Sequence, residues 1–184
     1  MKKLTLTIVA FLGLFGGAMA QSTATHQVDI TINSVAMIRA SSFLGGSAAN
    51  SGFTMGAPTT AGAIPSTTGT TMSGLYLQYT SIKTASGTPR TIKAVLSGTN
   101  PAGLSITAIA ATPTGGTGDV GTTNNLQTIS ATAVTMIKDI GSGYTGSAAG
   151  NGANIMYEPV ITAMADLKAT AATALTVTYT LSSE

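Results

Sequence analysis

The chain has 184 residues, of which only 8% are charged, and it contains neither cysteine nor tryptophan. Eight basic residues stand against six acidic ones, and once Lys2 and Lys3 are set aside as part of a leader, the remaining six basic groups balance the six acids. A neutral chain of this kind carries no basic patch for nucleic acid or anionic lipid. It has no disulfide to staple it, and its 43% apolar content, being patterned, argues against disorder.

Met1-Lys2-Lys3 is a short positive start, residues 4–17 form an apolar run, and Ala18-Met19-Ala20 is an A-x-A cleavage site. This order predicts a secretory signal peptide cleaved after Ala20; the apolar run is too short for a membrane span. No cysteine follows the cleavage site, so no lipid anchor is expected there. Residues 21–184 then form one domain, large enough to bury a core, and the mature chain holds no integral membrane segment.

The first predicted strand covers residues 27–39. Val28, Ile30, Ile32, Ser34, Ala36 and Ile38 share one face, while Asp29, Thr31 and Asn33 open the other, which turns apolar at Val35 and Met37. At ~3.3 Å per residue it would run roughly 40 Å, longer than a typical strand. Residues 41–73 are rich in Gly, Ser, Ala and Thr and should hold one or two short strands. Strands follow at 75–82, 91–97 and 104–110, the last two separated by a Gly98–Gly103 turn.

Residues 129–140 are ambiguous. Ile129, Ala133, Met136, Ile137 and Ile140 fit a helical face, with Gly141 as a stop, but the density of Thr and β-branched residues favours a strand. Residues 155–162 form a strand interrupted by Pro159, which suggests an edge or an end. Residues 163–173 suit a helical turn or a loop. The last strand, 174–181, alternates strictly: Leu175, Val177, Tyr179 and Leu181 on one face, Thr176, Thr178 and Thr180 on the other. Some seven to nine strands at this spacing predict an all-β fold, an antiparallel β-sandwich of Greek-key, immunoglobulin-like type.

Few residues carry chemistry. Residues 116–121 and 141–146 match G-x-G-x-x-G, but neither opens a convincing helix, so both read as turns. His26 is the sole histidine and lies near the expected mature terminus, poorly placed for catalysis. No G-x-S-x-G elbow occurs. Asp29, Asp119, Asp139, Glu158, Asp166 and Glu184 are scattered without calcium-loop spacing and read as solvated or turn carboxylates. No catalytic residue, cofactor or metal is expected. Tyr79 and Tyr179 fall on apolar faces and should be core; Tyr144, in a Gly-rich loop, is either a packed loop tyrosine, the favoured reading, or a candidate contact residue.

Ala-Leu-Thr-Val-Thr-Tyr-Thr-Leu at 174–181 resembles the closing strand of pilin-type β-sandwiches, including spore-coat-U and chaperone–usher subunits. The stretches at 26–38, 75–82 and 140–146 also resemble small secreted bacterial β-sandwich proteins of no assigned activity. The chain departs from chaperone–usher subunits in having no disulfide, and it has Ala-Thr-Ala-Ala-Thr where a Gly-x-Tyr often precedes the last strand. The pilin likeness implies a fold completed by a neighbour's N-terminal strand, with Val28, Ile30, Ile32 and Ile38 as plug residues in a head-to-tail filament. Pairing of residues 27–39 within their own domain is the competing arrangement. The expected function is that of a non-enzymatic, self-associating fimbrial or surface subunit, secreted to the outside or outer surface of a bacterium, with the periplasm as the alternative. The rival is a secreted glycan- or surface-binding module using the loops around 111–125 and 141–154.

Overall fold

The computed structural model describes residues 27–42, 52–65, 72–171 and 173–182. The chain divides into two units, residues 1–32 and 33–184. Of the first, only residues 27–32 are described, without secondary structure. The expected signal peptide (residues 1–20), His26 and Glu184 lie outside the described residues.

The second unit is all-β. Its strands are β1 (Val35–Ser42), β2 (Met72–Ile82), β3 (Arg90–Ser97), β4 (Leu104–Ala110), β5 (Thr117–Gly118), β6 (Thr122–Thr123), β7 (Gln127–Ile129), β8 (Val134–Ile140), β9 (Gly143–Tyr144), β10 (Ala153–Ile161) and β11 (Thr176–Leu181). Every pairing among them is antiparallel. They form two open, sandwich-like sheets, one of seven strands and one of four. In the larger sheet β2 is central. One of its sides pairs with β1 along residues 75–82, and the other is shared between β10 and β9. Beyond β10 lie β4 and β7, and beyond β9 lies β5; the smaller sheet runs β11-β3-β8-β6.

Period-two alternation builds the core. In β3, Ile92, Ala94 and Leu96 point inward while Lys93 and Ser97 are exposed. Leu77 and Tyr79 of β2, Ile155 and Tyr157 of β10, and Ala108 of β4 supply the larger sheet's half. Met136, Ile137 and Ile140 of β8 complete the smaller sheet's half. Fully burying each large side chain contributes roughly 1.5–3 kcal/mol.

Several boundaries differ from those expected. The strand predicted at 27–39 begins only at Val35 and extends to Ser42, and residues 27–34 lie outside the ladders of the described residues. Among residues 52–65, no strand forms. Four of the eleven strands are only two or three residues long, which accounts for the excess over the expected number.

The ambiguous stretch resolves into β7, a turn and β8. Its helix-like spacing has a specific cause. Ile92 and Arg90 of β3 pair with Ile137 and Ile140, and Lys93 pairs with Thr135, so β8 carries an extra residue on each side of Ile137. These two bulges put both Met136 and Ile137, and then Ile140, on the core side. Asp139, inside the second bulge, has φ 59, a left-handed conformation.

Pro159 sits inside β10, which is flanked by β2 and β4. The described pairing with β2 reaches Tyr157 opposite Met72, and on the other side Pro159 pairs with Ile106 of β4. Residues 164–166 form a single 3-10 turn.

Candidate assembly interface

The segment before β1 alternates apolar and polar residues as a strand does, yet no strand among the described residues pairs with it. Val28, Ile30 and Ile32 are 67%, 81% and 76% exposed. On the other parity, the Gln27 side-chain amide donates to Asp29. The fourth plug candidate, Ile38, differs from these three. It lies in β1 opposite Tyr79, half-buried against the core. The four residues therefore split: Ile38 packs into its own domain, and the other three stand in solvent.

Within the second unit, the start of the chain is anchored by Arg90. This side chain is 3% exposed; its Nη2 donates to Ser34 Oγ at 2.9 Å and its Nη1 to the Ser182 carbonyl at 3.1 Å. Ser34 Oγ in turn donates to the Ile82 carbonyl at 2.9 Å. Ser182 is further held to Thr91, by one bond from its backbone N–H and one to its hydroxyl. A guanidinium taken out of water needs acceptors, and here they come from the root of the N-terminal segment, the end of β2 and the end of β11. Sequence reasoning passed Arg90 over. Its signal was its parity: it is in phase with Ile92, Ala94 and Leu96.

Among the described residues, the two long edges of the sheets are β1, paired with β2, and β11, paired with β3. They differ in what they offer. The core-side row of β1 is Ala36, Ile38, Ala40 and Ser42, with a single large apolar residue and both alanines exposed. The core-side row of β11 is Val177, Tyr179 and Leu181, each only half-buried although packed against the core. Thr176, Thr178 and Thr180 form its exposed face. Because the Ser182 N–H bonds the Thr91 carbonyl, the antiparallel alternation turns the backbone N–H and C=O groups of Val177, Tyr179 and Leu181 away from β3, toward the open edge.

Tyr179 also ties the sheets together: its hydroxyl lies 2.5 Å from that of Tyr157 on β10. Burial pushes both phenols above their ordinary pKa. The Tyr79 hydroxyl donates to the Val120 carbonyl at 2.6 Å, and burial raises it too.

The loop candidate Tyr144 lies on β9 and is 47% exposed. It stands in one outward row with Met37, Thr80 and Thr117. The two G-x-G-x-x-G stretches meet there: Thr117 and Gly118 pair with Tyr144 and Gly143. A Cβ on Gly116 would strike the Tyr144 carbonyl, and one on Gly118 would strike that of Ser142. The glycines thus let two backbones approach each other, and no helix N-terminus follows either. Among the described residues no three His, Cys, Asp or Glu side chains gather to hold a metal.

No family model matches the chain, and no curated protein and no solved structure matches it. What the fold and this geometry define is a class: an all-β protein of two open, sandwich-like sheets whose apolar residues Val28, Ile30 and Ile32 are exposed and pair with no strand among the described residues.

Proposed function

We propose that this chain is an exported, non-enzymatic structural subunit that self-associates at the bacterial surface by handing its N-terminal arm to a neighbour as an added β-strand. The observation that carries this reading is the exposure of Val28, Ile30 and Ile32 in a segment of strand-like alternation that pairs with no strand among the described residues. Three large apolar side chains in strand alternation are costly to leave in water; burying each fully is worth roughly 1.5–3 kcal/mol. Strand addition satisfies them and the arm's backbone together. An arm given away at one end and received at a different surface makes a head-to-tail contact, which does not close and therefore extends into a filament. The low charge and near-neutral balance of the mature chain leave little repulsion to oppose assembly.

The test is size-exclusion chromatography and negative-stain electron microscopy of residues 21–184, beside a variant with Val28→Ser, Ile30→Ser and Ile32→Ser. Filaments or large oligomers are expected from the first and a folded monomer from the second. Equal monomers from both would overturn the reading.

A further inference from the structure

We infer that Asn151-Gly152 is a guarded self-modification site. The closed loop 146–152 keeps the Gly152 nitrogen from the Asn151 side chain; when the loop opens, the two react, and the asparagine becomes an aspartyl or isoaspartyl residue that bars the loop from closing again. This inference does not depend on the strand-donation reading.

Asn151 is the one asparagine of the chain followed by glycine. Asparagine is thermolabile, and glycine puts no side chain in the way of its cyclisation. The fold nevertheless requires both residues. Gly152 has φ 102, and a Cβ there would strike the Leu77 carbonyl of β2, so only glycine fits. The Asn151 side chain is seated between two further glycines. A Cβ on Gly115 would strike its Cγ, and one on Gly146 would strike its Nδ2.

Three sets of bonds close the loop over this seat. The Gly152 N–H donates to the Thr114 carbonyl at 2.8 Å, and the Thr114 N–H donates back to the Gly152 carbonyl at 3.0 Å. The Thr114 hydroxyl donates to the Gly150 carbonyl at 3.1 Å. The buried Gln78 amide, on the outer face of β2, donates to the carbonyls of Ala148 and Asn151 at 2.8 and 3.1 Å. The nitrogen that would attack is therefore committed to Thr114, and the carbon it would attack is lodged against Gly115.

Opening removes both restraints. The Gly152 nitrogen gives up its proton and bonds to Asn151 Cγ; the bond from Cγ to Nδ2 breaks, and that nitrogen leaves as ammonia. Water then opens the resulting cyclic imide at either carbonyl. One product is an aspartyl residue; the other is isoaspartyl, in which the main chain runs through the former side-chain carbon. Nothing is oxidised or reduced. Both products put a carboxylate, which has no N–H to donate, where the amide sat. The isoaspartyl form also lengthens the backbone just before the Gly152–Thr114 pairing.

The test is incubation of the purified protein at neutral pH, folded in buffer and unfolded in guanidinium chloride, with conversion and linkage at position 151 read by peptide mass spectrometry. Conversion should be at least about tenfold slower in the folded protein, since reaction there waits on local opening. Thr114→Val and Gln78→Leu, shown to be folded by circular dichroism, should both convert faster than the parent. Should Gln78→Leu not fold, Thr114→Val, which keeps the side-chain shape, carries the comparison. Equal rates in folded and unfolded protein, or a folded Thr114→Val variant that converts at the parental rate, would overturn the guard. Aspartyl product with no isoaspartyl would overturn the cyclisation. After removal of denaturant, hydrogen exchange at the Gly152 amide should stay fast in the converted chain while that of Leu77 regains protection. Full protection at Gly152 would show that the loop closes again, against the inference.

Discussion

At the scale of single residues, the contact between Tyr157 and Tyr179 spans the two sheets and carries a measurable prediction. Removing one hydroxyl leaves the other without its phenol partner in a mostly apolar setting, which costs about 1–3 kcal/mol; removing both is far milder. Urea unfolding should therefore show Tyr157→Phe and Tyr179→Phe each destabilising, with the double variant recovering part of the loss. The pH dependence follows from the direction of the shifts. Both phenols are raised above the ordinary value of 10.0, so the folded state keeps its protons where the unfolded chain releases them. Stability is fully present below pH about 10 and falls as the pH rises past it, by up to ~1.4 kcal/mol per pH unit for each phenol. The double Phe variant should flatten that alkaline loss in urea titrations run between neutral pH and the high-pH limit. The sequence showed that Tyr179 belonged to an apolar face, because strand parity is local. It did not show that Tyr179 would meet Tyr157, because that pairing depends on two sheets closing over each other.

At the scale of elements, β8 shows both how far periodicity reads and where it misleads. Met136, Ile137 and Ile140 have the spacing of a helix face, and all three are buried. They are buried from a strand, because two bulges each slip the parity by one residue. Local pattern cannot distinguish these cases; the Thr and β-branched content did. Pro159 was legible as a constraint on its strand for a simpler reason, since a missing N–H limits pairing wherever it lies. Asp139 holds the second bulge in a left-handed conformation that costs a non-glycine residue of order 1–3 kcal/mol. Asp139→Gly should therefore raise the thermal midpoint or leave it unchanged. Asp139→Val, β-branched at the same position, should lower stability by about 1–2 kcal/mol. Thermal melts of the two variants check the ordering. A Val variant as stable as the Gly variant would mean that the bulge relaxes.

At the scale of the whole molecule, the division of the N-terminal stretch is what matters, and the sequence could not make it. Residues 27–39 read as one strand because one period-two face runs from Val28 to Ile38, yet the described pairing begins only at Val35. Alternation records that a segment suits a strand; it does not record which strand lies beside it. The same limit hid the open edge of β11, whose sequence matches that of a fully enclosed strand. A truncation series converts this division into an experiment. Removing residues 21–33 keeps β1, its Ile38 contact with the core and the Ser34 bond to Arg90, so the melting midpoint should stay close to that of residues 21–184 while assembly is lost. Removing residues 21–39 also takes Ser34 and Ile38 and uncovers much of one side of β2, and should cost about 3 kcal/mol or more, with aggregation from the bared edge. Calorimetry and size-exclusion on the two truncated forms decide the matter. If the shorter deletion unfolds the domain as thoroughly as the longer one, residues 27–33 belong to their own core and are not an arm. If it leaves a well-folded monomer, cooperative folding ends at Ser34, and what precedes it is free to serve another copy.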